Sequence, residues 1–91
     1  MKRTDQQVPT VPISIQEIMS APLFERGVND ARAGRGYPGD YDLWAHTNDR
    51  WAYERGRQWA LLVPRHVPLR RNGRISNQAI ALFCEHDADI L

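Results

Sequence analysis

The chain has 91 residues and carries twelve basic against eleven acidic side chains, for a net charge of +1. That length bounds it to one small domain with a modest core. The single cysteine, Cys84, excludes an intrachain disulfide, and no apolar run approaches the roughly 18–20 residues of a membrane span.

Residues 1–7 are polar, and Val8-Pro9-Thr10-Val11-Pro12 follows. Closely spaced prolines exclude helix, so residues 1–13 are expected to form a flexible arm and residues 14–91 a single helical domain. No apolar stretch follows the charges of Lys2 and Arg3. A secretory signal is therefore not expected, and the expected location is the cytoplasm.

Ser14 and Glu17 have the spacing of a capping box. A short helix follows, whose Ile15, Ile18 and Met19 share one face and should pack as a lid. Ser20-Ala21-Pro22 starts a second helix, expected over 21–35. Phe24, Gly27, Val28, Ala31 and Gly34 fall on one face of it, and such small residues admit another helix backbone. Gly36 and Pro38 stop the helix.

The link from Gly36 to Thr47 contains Tyr37, Tyr41 and Trp44. It is expected to fold back over the helices and cover Leu43 and Trp44; stacking of its aromatics on bases is the alternative. A third helix is expected over 48–63. Gly56, in its interior, costs about 1 kcal/mol relative to Ala. A close crossing against Gly27, Ala31 or Gly34 would account for that glycine. Phe24-Glu25-Arg26-Gly27 is echoed by Tyr53-Glu54-Arg55-Gly56, too short a match to establish a repeat.

Pro64 ends the third helix. Asn72-Gly73 signals a turn, with a short hairpin around it as an open alternative, although its flanks lack clear strand alternation. Ser76 should cap a last helix over 77–86, with Ile75 and Ile80 placed as a hydrophobic staple. Ile90 and Leu91 are expected to pack back. The expected fold is all-α: three main helices and a short N-terminal one, with a glycine-mediated pair at the centre. The expected core is Phe24, Val28, Ala31, Trp51, Gly56, Trp59, Leu62, Ala79, Leu82 and Phe83.

The charge is segregated. Residues 22–49 carry Arg26, Arg32 and Arg35 against Glu25, Asp30, Asp40, Asp42 and Asp49, a net −2. Residues 50–74 carry Arg50, Arg55, Arg57, Arg65, Arg70, Arg71 and Arg74 against Glu54 alone, a net +6. Residues 75–91 are acidic, with Glu85, Asp87 and Asp89. Lys2 is the only lysine, and arginine's planar fork suits phosphates and exposed bases. A patch of this kind suits a nucleic-acid backbone, with Arg50 and Arg57 expected to project opposite the apolar stripe. Tyr53 beside them is a candidate for stacking on an unpaired base.

No convincing catalytic set is present. Cys84-Glu85-His86-Asp87 gathers a thiol, an imidazole and two carboxylates, but zinc would need a second ligand pair. A Cys84–His nucleophile remains as a minor alternative, without an oxyanion hole to support it. Gly34-Arg35-Gly36 lacks the strand and the Lys-Ser/Thr of a phosphate loop. No catalytic residue, metal or cofactor is expected.

The pattern Arg26-Gly27, then Ala33-Gly34-Arg35, then Pro38 with Tyr37 or Tyr41, then Trp51, resembles the ribosome modulation factors. These are small bacterial proteins that bind the small ribosomal subunit. The resemblance spans residues 24–60. Here Gly56 and Trp59 sit further along the second helix than the family's glycine–aromatic pair, and the third helix and the arm lie outside it. It implies a two-helix core, with Arg26 and Arg35 as positions that touch ribosomal RNA.

Two functions compete. One is a non-enzymatic regulator that binds ribosomal RNA or the small subunit through Arg26, Arg35, Arg50, Arg55, Arg57, Arg65, Arg70, Arg71 and Arg74. The other is a small phage- or mobile-element-encoded inhibitor that meets a host protein complex through the same arginines, since charge segregation alone does not separate the two.

Overall fold

The computed structural model describes residues 14–90. The expected arm at 1–13 and Leu91 lie outside them. Four helices and one hairpin form a mostly helical domain: α1 (Ile15–Ser20), α2 (Pro22–Arg32), α3 (Thr47–Leu62), β1 (Arg70–Arg71), β2 (Arg74–Ile75) and α4 (Asn77–Glu85). Among the described residues no helix is long and apolar enough to cross a membrane.

Local chemistry fixes the helix ends. The capping box forms: Ser14 Oγ accepts from the Glu17 N–H, and the Ser14 N–H donates to Glu17 Oε1 at 3.1 Å. Pro22 occupies the first turn of α2, where its missing N–H costs nothing. That helix ends earlier than expected, because Gly34 takes a positive φ of 72°. Ser76 Oγ accepts from the Ala79 N–H at 3.0 Å and donates to the Pro68 carbonyl at 2.9 Å. It thereby caps α4 and ties it to the preceding loop.

The helix pair α2–α3 is the centre of the domain, and two glycines set its spacing. A Cβ on Gly56 would collide with the Phe24 carbonyl, and a Cβ on Gly27 with the Tyr53 carbonyl. The partners differ from those expected, since each glycine meets backbone near the start of the other helix's echoed tetrad. The contacts are reciprocal: exchanging Phe24–Gly27 for Tyr53–Gly56 maps one onto the other. In three dimensions the two echoed tetrads face each other at the crossing.

Below the crossing lies the main core of Met19, Phe24, Val28, Trp59, Ala60, Val63, Val67, Leu69, Ile75, Ala79, Phe83 and Ile90. Helix α1 contacts α2, α4 and β2 and buries Met19 completely, as a lid should. Phe24 packs on Trp59 and Phe83 with ring centroids 6.4 and 6.2 Å apart, and Trp59 Nε1 donates to the Ala79 carbonyl at 3.2 Å. Ala31 and Leu82 border this core.

Three expectations are corrected. The fold is not purely α: Asn72 and Gly73 both take positive φ, 57° and 77°, which makes a two-residue turn of the kind that closes tight hairpins. Arg70 then pairs with Ile75, and Arg71 with Arg74. Trp51 and Leu62 are exposed rather than core, at 48% and 38%. Leu43 is left 82% exposed by the link that was expected to cover it.

Candidate nucleic-acid interface

The far side of the helix crossing holds a polar cluster built on Asp30 and Tyr53, both buried. Tyr53 donates its hydroxyl to Asp30 Oδ2 at 2.7 Å. Arg35 Nε donates to Asp30 Oδ1 at 2.9 Å, and Arg26 lies 3.8 Å from the same carboxylate. The Tyr53 bond, reinforced by Arg35 and Arg26, holds the Asp30 carboxyl below its ordinary value against the opposing effect of burial. Burial, and then the bond to Asp30, push the Tyr53 phenol up.

The link closes over this cluster. Tyr37, Tyr41 and Trp44 stand 5.7, 5.8 and 5.5 Å from the Tyr53 ring. Tyr37 and Tyr41 donate to the two oxygens of Glu54, at 2.5 and 3.1 Å. Arg57 donates to the Tyr53 hydroxyl at 3.0 Å and stacks 4.5 Å from the Tyr37 ring. Arg26 lies over Trp44, and Arg50 donates to the Trp44 carbonyl. The aromatics of the link pack on the protein, and Tyr53 is enclosed, so the expectation that Tyr53 stacks on an exposed base is corrected.

The nine expected arginines therefore divide. Arg26, Arg35 and Arg57 serve the Asp30–Tyr53 cluster, and Arg50 fastens the link. Arg57 does not project into solvent as expected but lies across two tyrosines. Arg55 lies 5.3 Å from the Trp51 ring. Arg70 bonds Glu25 at 3.0 Å and so docks the hairpin on α2. The remaining three, Arg65, Arg71 and Arg74, are exposed, and among the described residues none of them has an ion pair. Arg71 and Arg74 stand directly opposite each other across the hairpin.

One arginine outside the expected set lies close to these. Arg32 stacks 5.0 Å from the Trp59 ring and donates to the Pro64 carbonyl at 3.3 Å. That carbonyl also accepts the Val67 N–H at 3.0 Å, closing a turn with Arg65 and His66 at its exposed tip. Burial, and then the charge of Arg65, hold the Arg32 guanidinium below its ordinary value. In the sequence Arg32 falls in the acidic segment and looks neutralised; only the fold carries it to the end of α3.

No group of three or more histidine, cysteine, aspartate or glutamate side chains among the described residues could hold a metal ion. Cys84 is exposed at the end of α4. Comparison of the chain with protein-family models, curated proteins and solved structures finds no match.

Proposed function

We propose that this is a non-enzymatic, cytoplasmic RNA-binding regulator that uses the arginines of the α3–α4 connection. The observation that carries the reading is the hairpin. Arg71 and Arg74 face each other across its two-residue turn, both exposed and without an ion pair among the described residues. Like charges placed opposite each other destabilise a strand pair, and a phosphate backbone laid across them would relieve the repulsion. From Arg55 to Cys84 the sequence contains no acidic residue, so this connection brings no carboxylate of its own.

The ribosome is the proposed source of that RNA. Support comes from the ribosome modulation factor pattern in residues 24–60, of whose matched glycines Gly27 lies at the close helix crossing and Gly34 at the end of α2. Arg26 and Arg35, its matched basic positions, are exposed at their residue surface but directed in part to Asp30. We place them, with Arg50, Arg55, Arg57 and Arg70, as supports of the fold that border the interface. Arg65, Arg71 and Arg74 are its contacts.

The second reading, an inhibitor of a host protein complex, is favoured by a different feature. Trp51 is half exposed beside a groove of about 310 Å³ between α1 and α3, and exposed tryptophan is enriched at protein interfaces. A pull-down of the tagged protein from bacterial lysate, with and without nuclease and at two salt concentrations, separates the readings. Recovery of small-subunit proteins and ribosomal RNA, lost with nuclease or salt, is expected. A single nuclease-resistant protein complex would overturn the RNA reading.

A further inference from the structure

Among the described residues, Arg32 is a well-organised cation to which the interface described above gives no part. Its guanidinium is held on one side by the Trp59 ring and at one end by the Pro64 carbonyl. Its Nε is buried without a hydrogen-bond partner among the described residues. No carboxylate pairs with Arg32 among the described residues, and the charge that acts on it is that of another arginine, Arg65: the carbonyl it grips belongs to the peptide that joins Pro64 to Arg65. His66 completes the tip of the same turn.

We propose that Arg32 and Arg65, with His66 at the rim, form a phosphate-binding site at the Pro64–Val67 turn. Two guanidinium groups brought to one turn without a carboxylate repel each other, and an anion between them converts the repulsion into two charge-assisted contacts. Phosphate fits because its several oxygens serve two forks at once. Arg32 is pre-organised for this, since its stacking on Trp59 fixes the plane of the fork before any ligand arrives. Arg65, on the exposed corner, closes from the solvent side. The site shares Arg65 with the interface proposed above and adds Arg32 to it, so RNA would be gripped at two points, the hairpin and the turn. The identification of the phosphate as an RNA phosphodiester rests on the RNA-binding reading; a free phosphate would use the same groups.

The test follows the arginine Nε–H resonances of the full chain by NMR during two titrations. One uses inorganic phosphate against chloride at matched ionic strength, the other a single-stranded RNA decamer. The expected result is a saturable shift of the Arg32 resonance in both. Arg65→Ala, at an exposed corner that the core does not need, should weaken phosphate binding by at least about tenfold. Arg32→Gln tests the same point where that variant folds. Saturable phosphate binding without RNA binding would support the site and overturn the RNA reading. RNA binding that leaves Arg32 unmoved, with no saturable phosphate shift, would overturn the site and leave the hairpin as the RNA contact. A phosphate shift unchanged in Arg65→Ala would also overturn it.

Discussion

Replacing Gly56 by alanine tests the architecture at its tightest point. In an ordinary helix this change is stabilising by about 1 kcal/mol. Here the added Cβ would fall closer than 3.0 Å to the Phe24 carbonyl oxygen and carbon and 3.1 Å from its Cα. All three are backbone atoms, so no side chain can rotate away, and α2 must separate from α3 by on the order of 1 Å. Overpacking of that kind costs about 3 kcal/mol at the upper end of the usual range. Subtracting the propensity gain leaves a net loss of about 2 kcal/mol. For a domain of this size that lowers Tm by about 8–16 °C. The assay is urea unfolding followed by circular dichroism, with Gly36→Ala as the control, since nothing lies within 4 Å of a Cβ there. Gly27→Ala should cost a similar amount. The double variant should cost less than the sum, because one separation relieves both collisions. A Gly56→Ala protein as stable as the parent, or more so, would refute the close crossing.

Tyr53→Phe should lose about 1.5–3 kcal/mol in the same assay, because it strips a donor from the buried Asp30 carboxylate. Ser76→Ala should lose about 1–2 kcal/mol, since its hydroxyl both caps α4 and holds the Pro68 carbonyl. The bond from Tyr37 to Glu54, with burial, pushes the Tyr37 phenol up to about 12. A phenol bound more tightly to its proton in the folded state contributes stability below its unfolded value of about 10 and loses it as pH rises towards 12. Unfolding midpoints should therefore fall over that window, and fall less steeply in Tyr37→Phe. At the acid end the lowered Asp30 carboxyl contributes stability above its unfolded value of about 3.9 and loses it as pH falls through its folded one. Asp30→Asn should flatten that loss in an acid titration.

What the sequence revealed depended on how local the physics was. Ser14 with Glu17, Pro22, Ser76 and Asn72-Gly73 each act within a few residues, and each did what its chemistry dictates. Periodicity found Phe24, Val28, Trp59 and Phe83 because regular helices bury a repeating face. It had no purchase on Val67 and Leu69, which are buried from an irregular segment, and it placed Trp51 in a core that closes without it. The glycines announced a close crossing but not their partners, since a backbone carbonyl leaves no mark in the sequence. Tyr53 was the costliest omission. Among charged neighbours it reads as a surface residue, and the group that pays for its burial, Asp30, is 23 positions away. The arginines illustrate the same limit: a run of like charge is countable, but which members already hold Asp30, Glu25 or the Trp44 carbonyl is a property of the fold.

The central claim is that RNA is bound by the exposed arginines of the connection rather than by all nine. The most direct measurement is the salt dependence of affinity for single-stranded RNA, by fluorescence anisotropy, for the parent chain and for Arg65, Arg71 and Arg74 replaced together by alanine. Each lost phosphate contact on a single strand removes about 0.7 from the slope of log K against log salt. The account predicts that the triple variant loses about 2 from that slope while keeping its helical circular dichroism. A parent chain that binds no RNA at low salt, or a triple variant with an unchanged slope, would contradict it.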